Sequence, residues 1–215
     1  MSKTPRRSPR QRARRRMRRK RMLRRTAITL AAVSAATVAG VLAAPALVSW
    51  APELTAAPAY CATEPTQLAT ADVAGWRGEQ LQNAATIMLT ASALGFDRDG
   101  QILGVMTAMG ESSLRNIDYG DWETRGITNP DGSRTTSIGL FQQQEWWGSV
   151  EERMDPATAA TLFYRKLALV PDWQAMPPSH AIHRVQVNTD ADYYTRYQED
   201  ATAVVDALTR GCPAL

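Results

Sequence analysis

Apolar side chains beyond residue 78 recur at helical spacing, and the interruptions between them carry start and stop signals. Leu81, Ala85, Met88 and Leu94 fall close to one face of a predicted helix over 79–94, with Gly95 where a C-cap belongs. A second helix begins at Asp97 or Asp99, runs through Ile102, Leu103, Val105, Met106 and Met109, and ends near Ser112. Residues 118–136 lose the period and gain turn formers; Asn129-Pro130-Asp131-Gly132 predicts a turn, inside either a hairpin or an ordered loop.

Asp155-Pro156 opens a third helix, with Asp as N-cap and Pro in the first turn. Ala160, Phe163, Leu167 and Val170 share one side of it, and Pro171 stops it. Ser179 caps a short helix containing Ile182 and Val185. A last helix runs from about 191 to 208, with Tyr194, Tyr197, Ala201, Val204, Val205 and Leu208 on the 3.6 period. The pattern predicts a mainly α domain over 71–215 with little strand and a small hairpin or loop lobe.

Upstream the pattern changes kind. Residues 26–52 contain no charged side chain, a run of 27 dominated by Ala, Val, Leu and Thr. A run of this length exceeds the apolar centre of a signal peptide, about 7–15 residues, and matches the roughly 20 that cross a bilayer as a helix. It has no polar face, which argues against a buried soluble helix. Residues 26–50 are therefore read as a transmembrane anchor or uncleaved signal. Cleavage at Ala44-Pro45-Ala46 or Ala57-Pro58-Ala59 is the rival reading, and Arg24-Arg25 loosely fits a twin-arginine export signal. Residues 51–70, with three prolines at 52, 58 and 65, read as a semi-extended linker.

Charge sharpens this division. Lys3, Lys20 and twelve arginines lie within residues 1–25, while the first acidic residue is Glu53. The net charge of +4 therefore hides a balance of −10 beyond the tail, where 11 basic residues face 21 acidic ones. The basic block stays on the cytoplasmic side and the domain lies outside, tethered or secreted. The high isoelectric point belongs to that block, so a nucleic-acid partner is not expected for the folded domain.

Cys61 and Cys212 stand at the two ends of the predicted domain. In an oxidising exterior they can form one disulfide; the alternative is two unrelated buried thiols. His180 and His183, three apart, have no Cys or acidic residue at ligand spacing and read as surface histidines. Neither a metal nor another cofactor is expected.

Glu111 carries the candidate chemistry. It sits at the C-terminal end of the second helix behind Val105, Met106, Ala108 and Met109, where the helix dipole and apolar neighbours both favour the neutral acid. A carboxylic acid protonated near neutral pH suits glycosidic cleavage, because the leaving oxygen needs a proton as its bond breaks.

The ordered set Gly110-Glu111-Ser112-Ser113, Ser137-Ile138-Gly139-Leu140-Phe141-Gln142, Asp155-Pro156 and Phe163-Tyr164 resembles the motifs of lytic transglycosylases and goose-type lysozymes. Those families belong to the lysozyme-like superfamily, and the likeness covers residues 83 to 169. The resemblance implies a lysozyme-like helical domain that cleaves peptidoglycan glycan strands. By it Glu111 is the acid, and Ser137 and Gln142 touch the glycan or the acid's surroundings. Tyr164 positions Glu111 by hydrogen bonding. Ser112 belongs to the Glu-Ser pair, Gly139 lets the backbone approach a sugar ring, Leu140 and Phe141 form apolar wall, and Gln142 offers donor and acceptor to an N-acetyl group. Phe141 stands where the family usually has Met, and the Asn that commonly follows Asp-Pro is absent.

The reaction type turns on a second carboxylate. A transglycosylase needs only Glu111, acting as acid and then base; an inverting hydrolase needs another carboxyl to activate water. Asp118 and Asp121 are candidates, and Tyr119-Gly120-Asp121 is similar to the Trp-Gly-Asp of goose-type enzymes. One of Trp122, Trp146 and Trp147 is expected to stack on a sugar face. A non-catalytic glycan-binding envelope protein is the remaining alternative, and oligomeric state stays open.

Overall fold

The computed structural model describes residues 59–212. The basic tail, the segment at 26–50 expected to be a membrane anchor or uncleaved signal, and the first part of the expected linker lie outside the described residues. Among the described residues no helix is long and apolar enough to cross a membrane.

The domain is mainly helical. A short turn, α1 (Pro65–Leu68), leads into a two-residue antiparallel ribbon, β1 (Asp72–Val73) and β2 (Trp76–Arg77), in which Asp72 faces Arg77 and Val73 faces Trp76. Then come α2 (Glu79–Ala93) and α3 (Arg98–Ser112). The polar stretch contains α4 (Asp121–Arg125) and a single bridge between Thr128 and Arg134 around the Asn-Pro-Asp-Gly turn. A 3-10 turn (Glu145–Trp147), α5 (Val150–Met154) and α6 (Pro156–Leu167) follow. A 3-10 turn (Trp173–Ala175), α7 (Pro178–Gln186), another 3-10 turn (Tyr193–Tyr197) and α8 (Gln198–Arg210) complete the chain.

α3 is the axis. Its Ile102, Leu103, Val105, Met106, Ala108 and Met109 are buried around nearly its whole circumference, as a helix must be when wrapped on every side. α2, α6, α7 and α8 supply the wrapping. Asp97 caps the start of α3 by accepting from the Gly100 N–H, and Asp155 caps α6 by accepting from Thr158 N–H. Past Ser112 the chain turns through left-handed Ser113 and Leu114. Buried Asn83 of α2 fixes that turn by donating to the Leu114 carbonyl at 2.9 Å, and Gln80 donates to the Ser113 carbonyl.

Three boundaries differ from the sequence reading; one is α7, where Pro177 is the N-cap and Ser179 lies inside the helix rather than capping it. The last helix is preceded by 3-10 winding rather than starting near 191, and residues 59–70 are not free linker. Tyr60 and Ala62 donate backbone hydrogen bonds to Ala207 and Leu208 at the end of α8, Leu68 is buried in the core, and Cys61 is disulfide-bonded to Cys212. Closing a loop of 151 residues is worth roughly 5 kcal/mol on the chain-entropy account. Proline content signalled an extended chain, but an extended chain also packs when its backbone groups find partners.

Candidate active site

α3 ends in a cleft of about 720 Å³, and Glu111 faces it from the helix's last turn. Tyr194 closes over the carboxyl and donates its hydroxyl to Glu111 Oε1. Gly110 makes this contact possible: a Cβ there would come within 2.7 Å of the Tyr194 ring. Tyr193, packed edge-on against Tyr194 at 4.9 Å, donates to the Gly110 carbonyl at 3.0 Å. Ser179 fixes the segment from below, accepting from the Tyr194 N–H and donating to the Ala191 carbonyl.

Burial pushes the Glu111 carboxyl up to about 7 from its ordinary 4.5, outweighing the Tyr194 hydrogen bond, which favours the anion; the charge of Asp121 adds to the upward push. Burial, reinforced by that neighbouring carboxyl, holds the Tyr194 phenol far above its usual range, so it remains a donor. The outcome is an acid and its conjugate base at comparable population near neutral pH, aimed into an open groove.

The 137–142 loop forms one wall. Ser137 and Gln142 line the cleft together with Glu111 and Asp121. Gln142 takes a left-handed backbone conformation, and its amide donates to the Tyr119 and Gly139 carbonyls at 3.2 Å each. Arg153, almost fully buried, locks the loop from behind by donating to carbonyls of Thr136, Gln143, Gly148 and Ser149.

Other expected contact residues lie elsewhere. Leu140 and Phe141 are buried in the core, with Phe141 stacked on Phe163 at 5.1 Å, and do not line the cleft. They are consecutive, between Ser137 and Gln142 of the lining, and both turn into the core. Gly139 has φ +77°, and the Arg153 carbonyl occupies the place a Cβ would take. Glycine is required there by packing within the protein rather than by a sugar. Ser112 is buried and donates to the Leu140 carbonyl at 2.8 Å, tying the loop to α3.

Tyr164 is the main correction. It is fully buried on the other end of α3 and donates to the Gly100 carbonyl at 3.2 Å. The hydrogen bond to Glu111 assigned to it comes from Tyr194 instead. Tyr194 is predicted by its period only as a core position. Its phenol reaches the carboxyl because the 3-10 turn at 193–197 swings it across Gly110, a feature without a sequence signal.

Asp121 lines the cleft and makes a long ion pair, 3.8 Å, with Arg125; Asp118 is exposed and outside the lining. Trp146 and Trp147 line the cleft; Trp122 sits apart beneath Arg134. Val187, at the lip, is 80 % exposed in a left-handed conformation that a β-branched residue seldom adopts. His180 pairs with Asp192 and His183 with Asn188, and no metal-holding cluster occurs among the described residues. Compared with known proteins, the chain matches no protein-family model and no curated protein.

Proposed function

We propose that the chain is a lysozyme-like enzyme that cleaves the glycan strands of bacterial peptidoglycan by the lytic transglycosylase route. The observation that carries this reading is the Glu111 carboxyl, held near a pKa of about 7 under Tyr194 at the floor of an open cleft. Its proton passes to the glycosidic oxygen as the bond from that oxygen to C1 breaks, and positive charge develops on the ring. The Glu111 carboxylate then takes the proton of the same sugar's 6-hydroxyl while that oxygen bonds to C1. The product is a 1,6-anhydro end, and the acid is restored. One carboxyl serves both steps, and Tyr194 supports its ionised form between them by hydrogen bonding.

Asp121 favours a second reading, because it shares the cleft and lies close enough to raise the Glu111 pKa. An inverting hydrolase would use it to activate water. In both readings the domain works outside the cell, held by the uncharged segment at 26–50 or released from it.

The test is mass analysis of fragments released when the purified chain meets isolated cell wall. Anhydro ends are expected, reducing ends would establish hydrolysis, and Glu111→Gln should release nothing. Wall binding without release by the unsubstituted chain would replace the enzyme with a glycan-binding protein.

A further inference from the structure

The cleft contains a cation with no counter-charge among the described residues. Lys166, in the last turn of α6, lines the groove with its ammonium 3.2 Å from the centre of the Trp147 ring. It forms no ion pair or hydrogen bond among the described residues, and burial alone pushes its pKa down. The other charges of the groove are accounted for. Arg125 pairs with Asp121, Asp190 accepts from the Asp192 N–H at 2.9 Å, and Glu111 is held by Tyr194. A partly desolvated ammonium with only an aromatic face for a partner keeps its donors free for an incoming anion.

Resting on the peptidoglycan reading, we infer that Lys166, braced on Trp147, is the subsite that reads a carboxylate of the peptide borne by the glycan strand. Chains of N-acetylated sugars alone are uncharged. The lactyl-linked peptides of peptidoglycan carry carboxylates, and these are the substrate's anions. Trp146, 63 % exposed and in the same lining, offers the apolar face beside that charge on which a peptide or sugar ring can lie. Lys166 thus sets which strands are productive. Turnover of peptide-bearing strands gains from the ion pair, and turnover of neutral strands does not.

The test compares fragment release from soluble peptide-bearing strands with release from the same strands after their carboxyls are converted to methylamides. Lys166→Met keeps the aliphatic stem and removes the charge. It should lower kcat/KM on native strands about ten- to a hundredfold, mainly through KM, as expected for a charge-assisted hydrogen bond. On the amidated strands the substituted and unsubstituted chains should turn over equally, and Lys166→Arg should restore most of the native rate. The arginine-rich tail is common to all chains and cancels in these ratios. Equal rates on native strands with and without Lys166 overturn the inference while leaving the enzyme intact, and an equal loss on both substrates marks Lys166 as a packing residue and overturns it too. No release from either substrate by the unsubstituted chain overturns the peptidoglycan reading, and this inference with it.

Discussion

The two ends of α3 are built alike and do different things. Midway along it Gly104 leaves room for the ring and hydroxyl of Tyr164, which reaches back to the first turn; near its end Gly110 leaves room for Tyr194. Each tyrosine is fully buried, and each points its hydroxyl back at the helix. At the first end the acceptor is the backbone carbonyl of Gly100, and the surroundings are the rings of Phe96 and Phe163. At the second the acceptor is Glu111 and a cleft opens beside it. The same device serves packing when its partner is backbone, and on the proposed function serves chemistry when its partner is a carboxyl with an exit to solvent. Substitutions at matched positions should therefore separate stability from turnover.

The largest effect belongs to Glu111→Gln, which keeps the shape of the site and removes its proton. A positioned general acid contributes about 10²–10⁴-fold, and on the proposed route one group serves both steps, so glycan release should fall by at least about 10³-fold. The near-ultraviolet circular dichroism of the folded domain should not change. Residual release above a tenth of the original would move the chemistry to another carboxyl, with Asp121 first in line.

pH provides the next contrast. The folded pKa of Glu111, about 7, lies above its ordinary 4.5, so between those values the unfolded chain gives up a proton that the folded chain keeps. The folded state is thus favoured least at high pH: stability falls as pH rises from about 4.5 through 7, by about 1–3 kcal/mol once partial exposure is discounted. Glu111→Gln should flatten that slope and be the more stable protein at pH 8, as urea titrations at several pH values can show. Activity should decline along the same limb, because the acid form starts the reaction.

Alanine at the two glycines should split the effects. A Cβ on Gly104 overlaps the Tyr164 hydroxyl and crowds Ile87, so Gly104→Ala should cost about 1–2 kcal/mol of stability even after its gain in helix propensity. Its activity per folded molecule should hold. Gly110→Ala pushes the Tyr194 ring off the carboxyl and should lower kcat about tenfold or more, with a smaller change in thermal midpoint. Identical profiles for the two variants would erase the distinction between the ends.

What was legible in the sequence follows from the range of the forces involved. Asp97 and Asp155-Pro156 signal helix starts through hydrogen bonds three residues away, and the observed helices begin beside them. The place of Glu111 behind an apolar helix was readable for the same reason. α5 went unread although Ser149 and Glu152 form a capping box, because five residues are too few to establish a period. Tyr164 and Tyr194 both sit on apolar faces, and periodicity reports that a side chain is buried without reporting what its hydroxyl meets. That pairing joins residues 83 positions apart and depends on the 3-10 turn at 193–197. Leu140 and Phe141 went astray likewise: a motif supplies the loop, and only the packed core decides which of its residues turn inward.

The smallest effects discriminate best between the two tyrosines. Tyr164→Phe removes one hydroxyl from the Gly100 carbonyl and should cost about 1 kcal/mol of stability, with no change in kcat or its pH profile. Tyr194→Phe removes the hydrogen bond that favours ionised Glu111, so the carboxyl's pKa should rise further above about 7. The descending limb of kcat/KM against pH should shift to higher pH. The rate at its maximum should still drop, because the second step needs Glu111 as a base and an unsupported carboxylate forms less readily. A lower maximum with an alkaline shift identifies Tyr194 as a positioning residue acting through Glu111; a stability loss alone, with the pH profile in place, would make it the twin of Tyr164.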